Sequence, residues 1–287
     1  METLTLFAPV IGITALLVAA FGVYCVMCWV GRAPDVGSVK NNEVFGPFMA
    51  RYILWLLGPV EGALRALNVS PNAITGWSVA ACAASGFAIS QGRLAAGAWL
   101  YVLGGLLDIL DGRLARATGR QTKAGALFDS VADRWAELFV FTGYAWYLRE
   151  TTWLLSVMGA IAGSMMVSYT RARGEGLGVE LKVGAMQRAE RIVLVVLGTL
   201  IASALIRSGD AEDAPMAAGI ALATCGALST WTALGRWVEG YRKLAEREPQ
   251  PRRVEVVVAV REPVARRAEA PARKASDSLS MTRETTI

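Results

Sequence analysis

Apolar positions along this chain fall into blocks of bilayer length. Runs of about 17 to 25 residues, the length a helix needs to cross the hydrocarbon core, can be marked near 6–30, 72–91, 95–115, 125–147, 153–170, 192–207 and 214–235. The pattern predicts about seven helical crossings. The stretch 43–68, EVFGPFMARYILWLLGPVEGALRALN, is patterned differently. It is apolar on one side, with Arg51, Glu61 and Arg65 scattered through it and Gly58-Pro59 interrupting it. That predicts an amphipathic helix lying in the membrane interface, although a cytosolic helix packed on a bundle shows the same pattern. Beyond residue 240 Pro, Ala, Arg and Glu follow one another without helical period, as expected of a largely disordered basic tail suited to loose attraction to anionic headgroups.

The expected organisation is an all-α integral membrane protein. An extra N-terminal transmembrane helix covers 1–31, an interfacial helix 43–68, a six-helix transmembrane domain 69–240 and a basic cytoplasmic tail 241–287. The first run reads as a retained helix rather than a signal peptide. METLTL has no basic n-region, the run is long for an h-region, and no small-residue cleavage site closes it.

Composition agrees with this reading. Of 287 residues, 54% are hydrophobic and 18% charged, and the mean hydropathy is +0.41, values of a membrane protein. There is no histidine, which removes imidazole acid–base catalysis and imidazole metal ligation. Cys25, Cys28, Cys82 and Cys225 all lie in apolar runs and read as small hydrophobes, the Cys25-x-x-Cys28 pair included. Any metal must therefore be held by oxygen. Lys and Arg also alternate between the two ends of successive runs. One set of connections holds Arg32, Lys40 and Arg51, then Arg116, Arg120 and Lys123, then Arg171, Arg173, Lys182 and Arg188; the other holds Arg93, LRETT and the acidic RSGDAEDAP. The basic set is expected on the cytoplasmic side.

Against this background, DILDGRLARATGRQTKAGALFDSVAD at 108–133 places four aspartates inside or beside apolar helix. Ionised carboxylates in hydrocarbon cost several kcal/mol unless they face a polar cavity, a metal or a partner. Asp108, Asp111, Gly112 and Ala115 fall at i, i+3, i+4 and i+7, one stripe of a helix; Gly125, Asp129 and Asp133 fall at i, i+4 and i+8 on the next. The short connection predicts antiparallel neighbours whose acidic stripes face each other. Such a hard oxygen site suits Mg²⁺, Mn²⁺ or Ca²⁺, and two divalent ions there can clamp the attacking and leaving oxygens of a phosphoryl displacement. The glycines and Ala115 either keep the acidic faces open to a ligand or let helices approach closely. Arg116 offers a planar fork for phosphate or a positive-inside anchor.

Asp108-x-x-Asp111-Gly112-x-x-Ala115-Arg116, then eight residues, then Gly125-x-x-x-Asp129-x-x-x-Asp133 resembles the signature of the CDP-alcohol phosphotransferase family at every position, and the resemblance covers roughly 68–238. It implies a six-helix membrane enzyme, usually a homodimer, that moves a substituted phosphate from a CDP-linked lipid to a hydroxyl and releases CMP. By resemblance Asp108, Asp111 and Asp129 bind the metals, expected to be two Mg²⁺ or Mn²⁺ ions, and Asp133 completes that site and serves as base. Asp111, Gly112, Ala115, Arg116 and Gly125 line the CDP pocket. SPNAIT adds Asn72 and Thr75 on the nucleotide side, where Ser70 or Asn72 is otherwise an ordinary helix N-cap.

The acceptor rests on SYTRARGEG, RAER and Arg134. Arg171 and Arg173 close one helix while Arg188 and Arg191 open the next; this is either a positive-inside loop or a pocket for an acceptor that itself carries phosphate. These residues look like the phosphatidylinositol-phosphate synthase branch, which joins CDP-diacylglycerol or its archaeal ether counterpart to inositol phosphate, and Arg134 belongs to that likeness. Gln187-Arg188-Ala189 stands where bacterial members more often have Glu-Arg-Pro, so glycerol 3-phosphate stays open as acceptor; free inositol or serine would leave the arginines unmatched. A cation or proton transporter is the reading from another class, but interrupted helices and paired halves are not evident. A scaffold that has lost catalysis would be expected to lack Asp129 or Asp133. The expected setting is a bacterial inner membrane with the site facing the cytoplasm, and no nucleic-acid partner.

Overall fold

The computed structural model describes residues 19–32, 34, 46–181, 184 and 186–247. The helices are α1 (Ala19–Trp29), α2 (Gly46–Ala66), α3 (Pro71–Ser90), α4 (Leu94–Ala117), α5 (Lys123–Tyr147), α6 (Leu154–Gly176), α7 (Arg188–Ser208) and α8 (Ala214–Ala245), with a 3₁₀ turn at Ala211–Asp213 before α8. The chain divides at residue 248, and the segment from 249 onward lies outside the described residues, as does most of the expected first crossing. α8 runs on to Ala245 and takes in the first five residues of the expected tail.

Helices α3, α4, α7 and α8 have the length and apolar composition to cross a membrane. α5 and α6 are as long, 25 and 23 residues, but their site-end turns carry charge. The six close into a ring: α3 packs on α4, α4 on α7, α7 on α8, α8 on α6, α6 on α5 and α5 on α3. The short connections reverse the chain each time. The starts of α3, α5 and α7 therefore share one end of the ring with the ends of α4, α6 and α8.

Two expectations are corrected. α4 and α5 are not close neighbours; both pack on α3, which wedges them apart. The physical reason lies in the glycines. A Cβ on Gly86 would overlap the Phe139 carbonyl, and one on Gly143 would overlap Gly86, so α3 and α5 meet backbone to backbone. Nor does Gly58-Pro59 interrupt α2, which is continuous through Pro59; proline gives up only its own bond to the carbonyl four residues back. Within the ring, Ser78 donates to the Gly104 carbonyl at 2.8 Å and Ser85 to that of Gly97 at 2.7 Å, polar stitches of the kind that join helices in lipid. Outside it, α1 lies along α2 through Phe21, Tyr24, Tyr52 and Trp55, with ring centroids 5.1–5.6 Å apart.

Gly112 behaves differently from these packing glycines. A Cβ there would meet only the Arg116 guanidinium, at 3.4 Å. Gly143→Ala should accordingly cost about 1–3 kcal/mol through overpacking, read as a lower thermal midpoint in detergent, while Gly112→Ala should leave the midpoint unchanged.

Candidate active site

Helix starts and ends place the acidic residues. Ser70 caps α3, its Oγ accepting from the Ala73 amide at 3.3 Å, which leaves Asn72 exposed and its Oδ1 3.6 Å from where a Gly125 Cβ would stand. Thr122 caps α5 in the same way, accepting from the Gly125 amide at 2.9 Å. Both caps turn the chain so that the first turns of α3 and α5 open on the last turns of α4. Thr75, one turn into α3, donates to Asp111 Oδ2 at 2.6 Å in a buried bond.

Across the gap between α4 and α5, one carboxylate oxygen from each of Asp108, Asp111 and Asp129 can be chosen so that all lie within 4.8 Å of one another. Three hard oxygens in that compass suit a Mg²⁺ or Mn²⁺ ion. Asp133, one turn deeper on α5, is engaged otherwise. Arg188 Nη1, from the first turn of α7, bonds both Asp133 and Asp108, the latter at 2.5 Å. Arg134 Nη1 donates to the Ser130 carbonyl at 2.5 Å and stands 3.6 Å from Asp133. The amino ends of α3, α5 and α7 share this end of the ring with the carboxyl ends of α4, α6 and α8, so the helix dipoles largely offset one another.

The expected acceptor arginines do not converge as a group. Arg171 is exposed and pairs with Glu175 of its own helix at 2.9 Å; Arg173 is exposed as well. Arg191 is 3% exposed and committed to Glu137, with Nη2–Oε1 at 2.7 Å and Nε–Oε1 at 2.8 Å, while its Nη1 donates to the Met186 carbonyl. Of the expected acceptor arginines, Arg188 and Arg134 reach the aspartates. Of the proposed pocket residues, Ala115 is half-buried and Arg116 exposed, its guanidinium lying over Gly112. In place of the missing arginines, the structure shows two residues that spacing did not single out. Glu137 lies one turn below Asp133 on the same stripe, at i+12 from Gly125, and could have been found by extending that count. Arg236, buried near the end of α8 and bonded to the Val167 carbonyl at 2.9 Å, lies in the field of Arg171 and Arg191; no local pattern announces it.

A groove of about 460 Å³ between α6 and α8, lined by Trp153, Ser156, Gly159, Gly226 and Thr230, includes none of these residues.

With the geometry established, comparison with known proteins is informative. The family model of the CDP-alcohol phosphatidyltransferases matches residues 68–231. An archaetidylinositol phosphate synthase of Methanothermobacter thermautotrophicus is 36% identical over 167 residues, 58% of this chain and 80% of that protein. A phosphatidylinositol phosphate synthase of Cutibacterium acnes is 34% identical over 160 residues, 54% of this chain and 76% of the other. Among solved structures, the phosphatidylinositol phosphate synthase of Mycobacterium tuberculosis with manganese and citrate superposes at a TM-score of 0.56 with 25% identity, over 64% of this chain and 88% of that one. Its form with bound CDP-diacylglycerol superposes equally well.

The buried Glu137–Arg191 pair predicts a sharp asymmetry. Glu137→Leu alone leaves a cation uncompensated and should cost about 3–5 kcal/mol, whereas Glu137→Leu with Arg191→Met should recover most of that loss. Thermal unfolding of both variants in detergent checks it.

Proposed function

This chain belongs to the CDP-alcohol phosphatidyltransferase family, and from that premise we propose that it transfers the phosphatidyl group of CDP-diacylglycerol, or of its ether-lipid counterpart, to inositol 1-phosphate with release of CMP. The observation that carries the acceptor is Arg188. It is the one arginine of the second basic loop that enters the acidic cleft, it lies within the residues matched by the family model, and the similarity to archaetidylinositol phosphate and phosphatidylinositol phosphate synthases supports the reading.

In this reading Asp108, Asp111 and Asp129 hold divalent ions, Mg²⁺ or Mn²⁺ and two in number, with Asp133 completing the set. The manganese of the mycobacterial relative and the spacing of the three carboxylates support it. Bound there, the ions supply charge neutralisation of the donor's diphosphate and of the departing CMP. Thr75 fixes the orientation of Asp111 by its 2.6 Å bond. Asn72, Gly112, Ala115, Arg116 and Gly125 receive the cytidine diphosphate, the small residues allowing close approach to the backbone and Arg116 pairing with phosphate. Asp133 takes the proton of the acceptor hydroxyl as its oxygen attacks the lipid-side phosphorus, and the bond from that phosphorus to the CMP oxygen breaks. Arg134, Arg171, Arg173 and Arg188 lie on the basic side on which the acceptor phosphate arrives, with Arg188 and Arg134 nearest the chemistry, while Arg191 stays with Glu137 one turn along α7.

The enzyme works in the inner membrane as a homodimer, with its site on the cytoplasmic side. Arg116, Arg120, Lys123, Arg171 and Arg173 gather at the site end of the ring, against Arg93, Arg149 and Arg207 at the other, and that excess of basic residues supports a cytoplasmic site. Residues 69–240 would be the catalytic part; most of 1–31 and of 241–287 lies outside the described residues.

Purified protein in detergent with CDP-diacylglycerol and Mg²⁺ should release CMP when given inositol 1-phosphate. Release should stop on chelation with EDTA and fall by roughly 10² to 10⁴-fold in Asp133→Asn, the usual contribution of a positioned base. CMP release with glycerol 3-phosphate instead would keep the reaction and refute the acceptor.

A further inference from the structure

Arg188 and Arg191 stand one turn apart on α7, yet their surroundings differ. Arg191 is saturated: Nε and Nη2 lie on Glu137 and Nη1 on the Met186 carbonyl. Arg188 is held at one nitrogen alone. Its Nη1 bridges Asp108 of α4 and Asp133 of α5, while Nε and Nη2 are buried without a hydrogen-bond partner among the described residues. The two unmatched nitrogens form the side-on edge of the guanidinium, the edge that fits a pair of phosphate oxygens. The carboxylate it grips at Asp108 also belongs to the trio grouped within 4.8 Å. A divalent ion and the Arg188 guanidinium on one carboxylate would repel each other at short range in a poorly screened site.

We propose that Arg188 is a resident counter-cation of the carboxylate cleft that divalent ions must displace, and that a phosphate monoester on the acceptor draws it away. Metal and acceptor then bind cooperatively. The inference rests on the reading of the aspartate cluster as the metal site, and goes beyond it by making one side chain the link between the two ligands. The reciprocity is obligatory: whatever factor the acceptor lends to metal affinity, the metal lends to acceptor affinity. Arg191 cannot serve in this way because leaving its seat would strand Glu137, which is 2% exposed. Arg134 cannot either, since it contacts Asp133 at 3.6 Å and does not bridge to Asp108.

The test is Mn²⁺ binding by the full-length protein in detergent without CDP-lipid, followed by the electron paramagnetic resonance signal of free Mn²⁺. Arg188→Gln and Arg188→Met should bind Mn²⁺ at least about fivefold more tightly than the unaltered protein, the low end of measured couplings between sites. Arg134→Gln should change affinity much less. Inositol 1-phosphate, but not inositol, should tighten Mn²⁺ binding by the unaltered protein by a comparable factor and leave Arg188→Gln unmoved. Equal or weaker binding by folded Arg188 variants would overturn the proposal. So would the absence of any effect of inositol 1-phosphate on the unaltered protein, which needs no variant to fold. Failure of every form to bind Mn²⁺ would refute the metal-site reading itself and this proposal with it.

Discussion

Four carboxylates gathered between apolar helices must be matched by positive charge, and the rest of the site is arranged around that requirement. Burying an unpaired carboxylate costs several kcal/mol even after relaxation, so Asp108, Asp111, Asp129 and Asp133 cannot share one cleft as bare charges. Arg188 takes two of them, and Thr75 donates to a third. In the proposed reaction a divalent ion would neutralise the carboxylates that hold it, and the donor's diphosphate would balance the charge of the metals. The same demand explains why Glu137 and Arg191 meet one turn deeper: each is the condition of the other's burial.

Space for a ligand comes from where the chain spends its small residues. Gly86 and Gly143 press α3 onto α5, and Gly163 and Gly226 do the same for α6 and α8. These contacts set the ring and hold α4 and α5 to either side of α3. Gly112 and Gly125, by contrast, meet no neighbouring helix backbone. They sit beside the carboxylates where a larger side chain would close the cleft. One residue type thus serves contact at the far side of α3 and vacancy at the near side.

Much of this was legible in the sequence, and the exceptions have a common cause. The stripes Asp108-Asp111-Gly112-Ala115 and Gly125-Asp129-Asp133 follow from helical period alone, and so does their place at helix ends. Thr75 and Asn72 could be singled out, but whether Asn72 capped α3 could not be decided until Ser70 was seen in that role. The separation of α4 from α5 was hidden because it depends on α3, whose tight glycine contact with α5 links Gly86 to Gly143, far apart in the chain. Arg191 reads as an acceptor arginine in the sequence because its partner Glu137 lies 54 positions away, and nothing local marks Arg236, whose contact, Val167, lies 69 positions away. Local spacing reads stripes and caps; it does not read which buried charge answers another across the ring.

The account stands on one placement, divalent ions between α4 and α5. Anomalous diffraction at the manganese edge, from crystals of the full chain grown with Mn²⁺ and CDP-diacylglycerol, measures it directly. The account predicts density bounded by Asp108, Asp111 and Asp129, with the Arg188 guanidinium withdrawn from Asp108. Anomalous density elsewhere in the molecule, or none in crystals that hold the donor lipid, would contradict it.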